Sequence, residues 1–221
     1  MPQVKIGVLI SGSGTNLQSL IDNIENGNIN GKITVVISNK KDAYGLERAR
    51  QNNIDSVYIN YRDYESFDKF NAAITEELKR HDVELVVLAG YLKILTSGFI
   101  EEYKNRIINI HPSLIPSFCG KGYYGIKVHE EVIKYGAKIS GATVHFVDEG
   151  ADTGPIIIQE AVEVSCEDTA DSLQQKVLKI EHKILTLAVK YYCEGRIQIS
   201  GRKVKIKIKE LYNESFNKCI R

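Results

Sequence analysis

Short apolar runs alternate with amphipathic stretches over the first two thirds of the chain. Residues 6–10 predict a first strand, and Ser11-Gly12-Ser13-Gly14-Thr15-Asn16 follows it directly. Leu17, Leu20, Ile21 and Ile24 then recur at i, i+3, i+4 and i+7, a helical stripe that stops at Gly27. Residues 33–37 predict a second strand, 45–51 a helix, 57–59 a third strand, and Phe67, Phe70, Ile74 and Leu78 another helix. Residues 85–88 and 107–110 are continuous apolar runs, each followed by a loop and a helical pattern. Strands without polar alternation, separated by helices, predict an α/β fold with a mostly parallel, Rossmann-like central sheet covered on both faces. Such sheets bind ligands outside the carboxyl ends of their strands.

The pattern changes from Gly141. Residues 142–147 and 155–164 predict two strands joined by Asp148-Glu149-Gly150-Ala151-Asp152-Thr153-Gly154. A long helix follows, with Leu173, Val177, Ile180, Ile184, Leu187 and Tyr191 on one stripe. Residues 204–209 alternate Val-Lys-Ile-Lys-Ile-Lys and predict a half-exposed edge strand whose lysines discourage further pairing. Residues 1–200 are expected to form one domain, with 201–221 as a C-terminal edge strand and tail.

Composition narrows the function classes. The formal net charge is +1, from 29 basic and 28 acidic side chains, so no general field draws the chain to nucleic acid or to an anionic membrane. Cys119, Cys166, Cys193 and Cys219 are scattered without a C-x-x-C pair, which argues against a disulfide framework or zinc ribbon and for a reducing, cytoplasmic setting. No signal-peptide pattern opens the chain, and no apolar run approaches the roughly 18 residues of a membrane span.

Two segments carry candidate chemistry. The 11–16 loop stands between a strand and a helix, where glycines permit close backbone approach and helix-terminal amides attract an anion. Leu17 occupies the place of a third glycine, and the second strand ends in Ser38-Asn39 rather than an acid, so one phosphate fits better than a dinucleotide. The alternative is a tight turn with Asn16 as helix cap. The second segment is Asn109-Ile110-His111-Pro112. Residues two apart on a strand share a side, so an amide donor and an imidazole are presented together at a strand's carboxyl end. They suit acyl transfer without a protein nucleophile, for which no G-x-S-x-G elbow is present. They are also compatible with simple strand capping.

Several segments together resemble the folate-dependent formyltransferase family, in the branch that acts on phosphoribosylglycinamide. They are residues 10–18, Ser38-Asn39-Lys40, Gly45-Leu46-Glu47-Arg48-Ala49, Leu88-Ala89-Gly90-Tyr91, residues 109–116, Val144-His145-Phe146-Val147 and Asp152-Thr153-Gly154-Pro155. The resemblance extends from residue 5 to about 200. It implies transfer of a formyl group from 10-formyltetrahydrofolate, as co-substrate, to the amine of phosphoribosylglycinamide, a step of de novo purine biosynthesis. It implies no metal and only small-molecule partners, acting as a monomer or homodimer.

Carried over by position, the resemblance implies catalytic roles for Asn109, His111 and Asp152. Asn109 holds the formyl oxygen, His111 donates a proton, and Asp152 raises the His111 pKa and relays a proton through water. Gly14, Thr15 and Asn16 are expected at the ribose-phosphate, and Glu181 at the substrate amine, although an exposed helical carboxylate is equally compatible. Tyr91, Leu92, Lys93, Ile94 and Leu95, with Asn109, are expected to line the pterin pocket. His145 reads either as a support for that cluster or as a satisfied core histidine. The chain departs from the family at Lys93, where some members carry Arg, and at Phe67, where relatives often carry a basic residue. It departs again at Cys119 and over Lys121-Gly122-Tyr123-Tyr124. A formyl-folate hydrolase is expected to bear an extra N-terminal domain, and a transfer-RNA formyltransferase a C-terminal one. A non-catalytic phosphate-binding module is the reading from a different class.

Overall fold

The structure, a computed structural model, describes residues 2–207. Seven of its strands form one sheet in the order β3-β2-β1-β4-β5-β6-β7. The central strand β1 (Val4–Ile10) lies between β2 (Gly31–Ser38) and β4 (Leu85–Leu88), both parallel to it. The parallel set is completed by β3 (Asp55–Tyr58) on the β2 side and β5 (Ile107–His111) on the β4 side. Beyond β5 the direction reverses: β6 (Ile139–Phe146) and β7 (Ile156–Glu163) add antiparallel ladders. The predicted mostly parallel α/β sheet is therefore present, with its antiparallel part confined to one side.

The inner parallel strands β1, β4 and β5 are buried on both faces because helices cover both, whereas the outer strand β3 has no fully buried residue. Ile6, Val8 and Ile10 face a core made with α1 (Thr15–Glu25), α2 (Tyr44–Gln51), α5 (Ile126–Tyr135) and α6 (Ala170–Cys193). Leu9 faces the opposite core, with α3 (Phe67–Arg80) and α4 (Ser97–Glu102). Gly7 stands directly beneath the Leu78 side chain, where a Cβ would collide, so glycine here sets the approach of α3 to the sheet.

Differences from the sequence expectation have local causes. The third strand begins at the polar residues Asp55 and Ser56 rather than at 57, because their backbones continue the ladder with Val35 and Val36 without needing burial. The alternating tail is not an edge of the main sheet. Instead β9 (Lys203–Ile206) pairs with β8 (Ile197–Ser200) as a separate hairpin turned at Gly201, whose φ is 57°. Ile197, Ile199, Val204 and Ile206 pack against the core, while Lys203 and Lys205 point outward. Ile208 and Lys209, the end of the expected 204–209 strand, and the rest of the tail to 221 lie outside the described residues. Among residues 2–207 no helix is long and apolar enough to cross a membrane.

Candidate active site

The 11–16 loop joins β1 to α1, and it is clamped from three sides. Ser11 Oγ donates to Asn39 Oδ1 at 2.6 Å and accepts the Leu92 amide at 2.9 Å. Gly14 adopts a left-handed conformation (φ 71°), and a Cβ on it would meet Gly45 Cα at 2.7 Å. Gly45 and Gly14 thus allow α2 to press against the loop, and the Gly45 amide donates to Gly12 O at 3.1 Å. Arg48, one turn further on α2, donates from Nε to Ser13 O at 2.9 Å and from its guanidinium to Gln18 Oε1 at 3.1 Å. Gly14 itself occupies the cap position of α1, without a side-chain cap. The reading of Asn16 as helix cap is therefore overturned. Asn16 lies inside the first turn, buried, with Nδ2 donating to Glu181 Oε2 at 2.7 Å.

Asn109 and His111 end β5 on one side of the strand, as period two requires. Opposite Asn109 in the antiparallel ladder is His145, and opposite His111 is Thr143. His145 Nδ1 donates to Phe146 O at 2.8 Å, and in the neutral ring Nε2 is then the acceptor for Asn109 Nδ2 at 3.1 Å. This bond orients the Asn109 amide and leaves its second N–H free to donate elsewhere. His145 is thus a support for the cluster rather than a histidine merely satisfied in the core.

His111 is 4% exposed, and its Nε2 donates to Phe118 O at 3.0 Å. Phe118 has a φ of 49°, unusual for a bulky residue, and this conformation belongs to a pinned loop. Thr143 Oγ1 donates to Ser113 O at 2.6 Å and accepts the Ile115 amide at 3.1 Å. Gln159 Nε2 donates to Ile115 O and to Thr143 Oγ1, each at 2.9 Å.

The remaining His111 nitrogen, Nδ1, faces Asp152 Oδ2 at 3.5 Å. Asp152 arrives from the 148–154 loop in a left-handed conformation (φ 59°) and accepts the Gly120 amide at 2.8 Å. It therefore also ties that loop to the 113–125 segment. The other carboxylate oxygen lies 3.7 Å from His145 Nε2. Asn109 and His111, two residues apart on β5, and Asp152, which follows only after α5 and β6, converge at one end of the sheet.

Asp152 raises the His111 pKa as expected, within a balance that burial dominates. Burial holds the His111 imidazole below its ordinary value, and the attraction of Asp152 opposes this without overcoming it. Asp152 thus acts in the expected direction, but desolvation wins. For Asp152 itself, burial pushes the carboxyl up; the His145 contact, the His111 charge and the Gly120 amide outweigh it and leave the group below its usual value.

A cavity of about 430 Å³ is lined by the glycine loop, Gly125, His129 and Glu181 among others, and reaches Ile110 and Pro112 on either side of His111, while Asn109, His111 and Asp152 do not line it. Glu181, on α6, is 9% exposed rather than solvated, and burial raises its carboxyl pKa while the Asn16 bond lowers it. In the 91–95 segment Tyr91 and Leu95 are buried, whereas Leu92 is 48% and Ile94 70% exposed. Leu92, whose amide bonds Ser11 Oγ, offers apolar surface to the cavity. Lys93 places its ammonium 5.4 Å from the Tyr61 ring centroid, and Phe67 joins Tyr61 and Phe70 in an aromatic cluster below. His129 and Arg48 were not singled out from sequence. His129 offers only the signal of one imidazole between apolar positions of a helix.

A doubly wound α/β sheet with a glycine loop at one strand end and an amide-imidazole-carboxylate cluster at another describes a group-transfer enzyme working on a small anionic substrate. A family model described as formyl transferase matches residues 4–189, and the chain belongs to that family. It is 41% identical over 195 residues to phosphoribosylglycinamide formyltransferase of Haemophilus influenzae, covering 88% of this chain and 90% of that protein. It is also 41% identical over 204 residues to the trifunctional purine biosynthetic protein adenosine-3 of Chironomus tentans, covering 91% of this chain but spanning only 14% of that protein. Among solved structures, glycinamide ribonucleotide transformylase 1 of Symbiobacterium toebii superposes with a TM-score of 0.89 at 44% identity. That match covers 93% of this chain and 95% of the other.

Proposed function

We propose that the protein transfers a formyl group from 10-formyltetrahydrofolate to the amine of phosphoribosylglycinamide, as a cytoplasmic enzyme of purine biosynthesis. The observation that carries this reading is the meeting of Asn109, His111 and Asp152 at the end of β5, where Ile110 and the following Pro112 line one cavity together with the glycine loop. In this reading the substrate phosphate takes the amides of Gly14, Thr15 and Asn16 at the N-terminus of α1. Glu181 draws the substrate amine. The pterin lies against residues 91–95, with Leu92 and Ile94 supplying apolar contact and Lys93 a cation at the outer edge.

The amine attacks the formyl carbon directly, and negative charge develops on the formyl oxygen. The tetrahedral adduct then collapses by breaking the bond between that carbon and the folate nitrogen, the amine giving up one proton and the departing tetrahydrofolate nitrogen taking one up. The free N–H of Asn109, fixed by His145, donates to that oxygen. His111 exchanges protons through Nδ1, because Nε2 is committed to Phe118 O. Asp152, held ionised, favours the imidazolium as the proton arrives.

The test is an absorbance assay of formyl-folate turnover with the pure protein, with and without phosphoribosylglycinamide. Turnover that requires the amine supports transfer. Equal turnover without it makes the protein a formyl-folate hydrolase, and no turnover under either condition leaves a phosphate-binding module.

A further inference from the structure

Two buried polar atoms on residues lining the cavity have no hydrogen-bond partner among the described residues: Asn16 Oδ1 and His129 Nδ1. Both residues are nearly sealed, His129 at 1% exposure and Asn16 at 7%. Unpaired buried polar atoms destabilise a fold, and their presence on a cavity wall marks where a ligand's polar groups belong. His129 occupies the first turn of α5, whose cap residue Gly125 lines the same cavity and supplies no side-chain cap.

The chemistry of the missing partner follows from what each atom accepts. Asn16 Nδ2 is already given to Glu181, so its Oδ1 is an acceptor and calls for a donor. Burial, with a smaller contribution from the His111 charge, lowers the His129 pKa to about 4, so the ring is uncharged at neutral pH. A neutral imidazole has one donor and one acceptor. A phosphate at neutral pH offers acceptors alone and is already matched by the glycine-loop amides. A hydroxyl group donates and accepts, and so satisfies both walls.

We infer that His129 is a specificity-determining contact to a sugar hydroxyl of the substrate, with Asn16 Oδ1 facing the same polyol edge. The inference rests on the proposed formyl transfer to a ribosyl substrate and extends it to a residue not implied by the site motifs. Pro112, the residue after His111, lines the same cavity as His129.

The test is steady-state kinetics of wild type, His129→Phe and His129→Gln, using phosphoribosylglycinamide and its 2,3-dideoxyribosyl analogue. His129→Phe is expected to raise the KM for phosphoribosylglycinamide about tenfold and to leave the KM for formyl-folate unchanged. His129→Gln, which keeps a donor and an acceptor, should recover part of that loss and covers the case in which the Phe variant fails to fold. With the dideoxy analogue, wild type and variants should become equal. An active wild type whose KM for phosphoribosylglycinamide is unaffected in both variants overturns the inference alone. So does a loss of the same size with the dideoxy analogue. A wild type without amine-dependent turnover removes the functional reading, and this inference with it.

Discussion

Asn16 and Glu181 meet across 165 residues of sequence through a 2.7 Å hydrogen bond buried between α1 and α6. The bond explains why neither residue behaves as its local context suggests: a polar residue near a helix start caps nothing, and a helical glutamate is not solvated. It also leaves a carboxylate in a poorly solvated place, with a consequence for stability. Because the folded-state pKa of Glu181 is raised, its contribution favours folding below the unfolded value of 4.5 and is lost as pH rises through the folded value. Glu181→Gln is therefore expected to raise Tm at pH 7–8, with the difference from wild type shrinking as pH falls toward 4. Thermal melts across that range check it, and a Glu181→Gln protein less stable than wild type at pH 8 contradicts it. The same variant should bind phosphoribosylglycinamide more weakly.

His111→Ala should lower kcat by about a hundredfold to a thousandfold with little change in either KM, as expected for a group acting mainly in the transition state. Steady-state kinetics decide the matter. A variant with wild-type kcat would remove His111 from its role.

Asp152→Asn keeps an oxygen for the Gly120 amide while removing the charge that faces His111 Nδ1. The His111 imidazole, already held below its ordinary value by burial, then loses the influence that opposed the shift. Its titration, followed by proton NMR of the ring, should move further toward acid. A shift toward alkaline pH would show that Asp152 does not act on His111 electrostatically.

Acidification should destabilise the fold through His129. Its folded pKa is depressed from 6.5 to about 4, so the stability it contributes is present above 6.5 and is lost as pH falls through that window. His129→Gln should flatten the pH dependence of Tm between 6.5 and 4. An unchanged slope would place the imidazole in contact with water.

Gly14→Ala introduces a side chain at φ 71° and against Gly45 Cα at 2.7 Å. The expected cost is about 1–3 kcal/mol of stability, measured by denaturant unfolding. Any folded fraction should show a raised KM for the phosphorylated substrate, because the loop can no longer seat against α2.

Much of this was legible in the chain itself. Continuous apolar runs at 6–10, 85–88 and 107–110 have one stable solution, a sheet buried on both sides, because unbroken hydrophobicity cannot face water. Asn109 and His111 were readable as a pair because strand geometry places residues two apart on the same side. The β8–β9 hairpin was not, since a four-residue strand such as Ile197–Ser200 carries too short an alternation to stand out from a helix terminus.

The order of the apolar runs determined by itself that a mostly parallel sheet would form and that its carboxyl ends would carry the glycine loop and the Asn-His pair. Backbone periodicity is local, and a local pattern is enough to express it. Only the tertiary structure decided that His145 fixes the Asn109 amide and that Phe118 occupies one nitrogen of His111 while Asp152 faces the other. The same holds for Asn16 turning toward Glu181 and for His129 standing unpaired beside the cavity. Protonation and hydrogen-bond partners depend on burial and on neighbours from distant parts of the chain, and no stretch of sequence contains both.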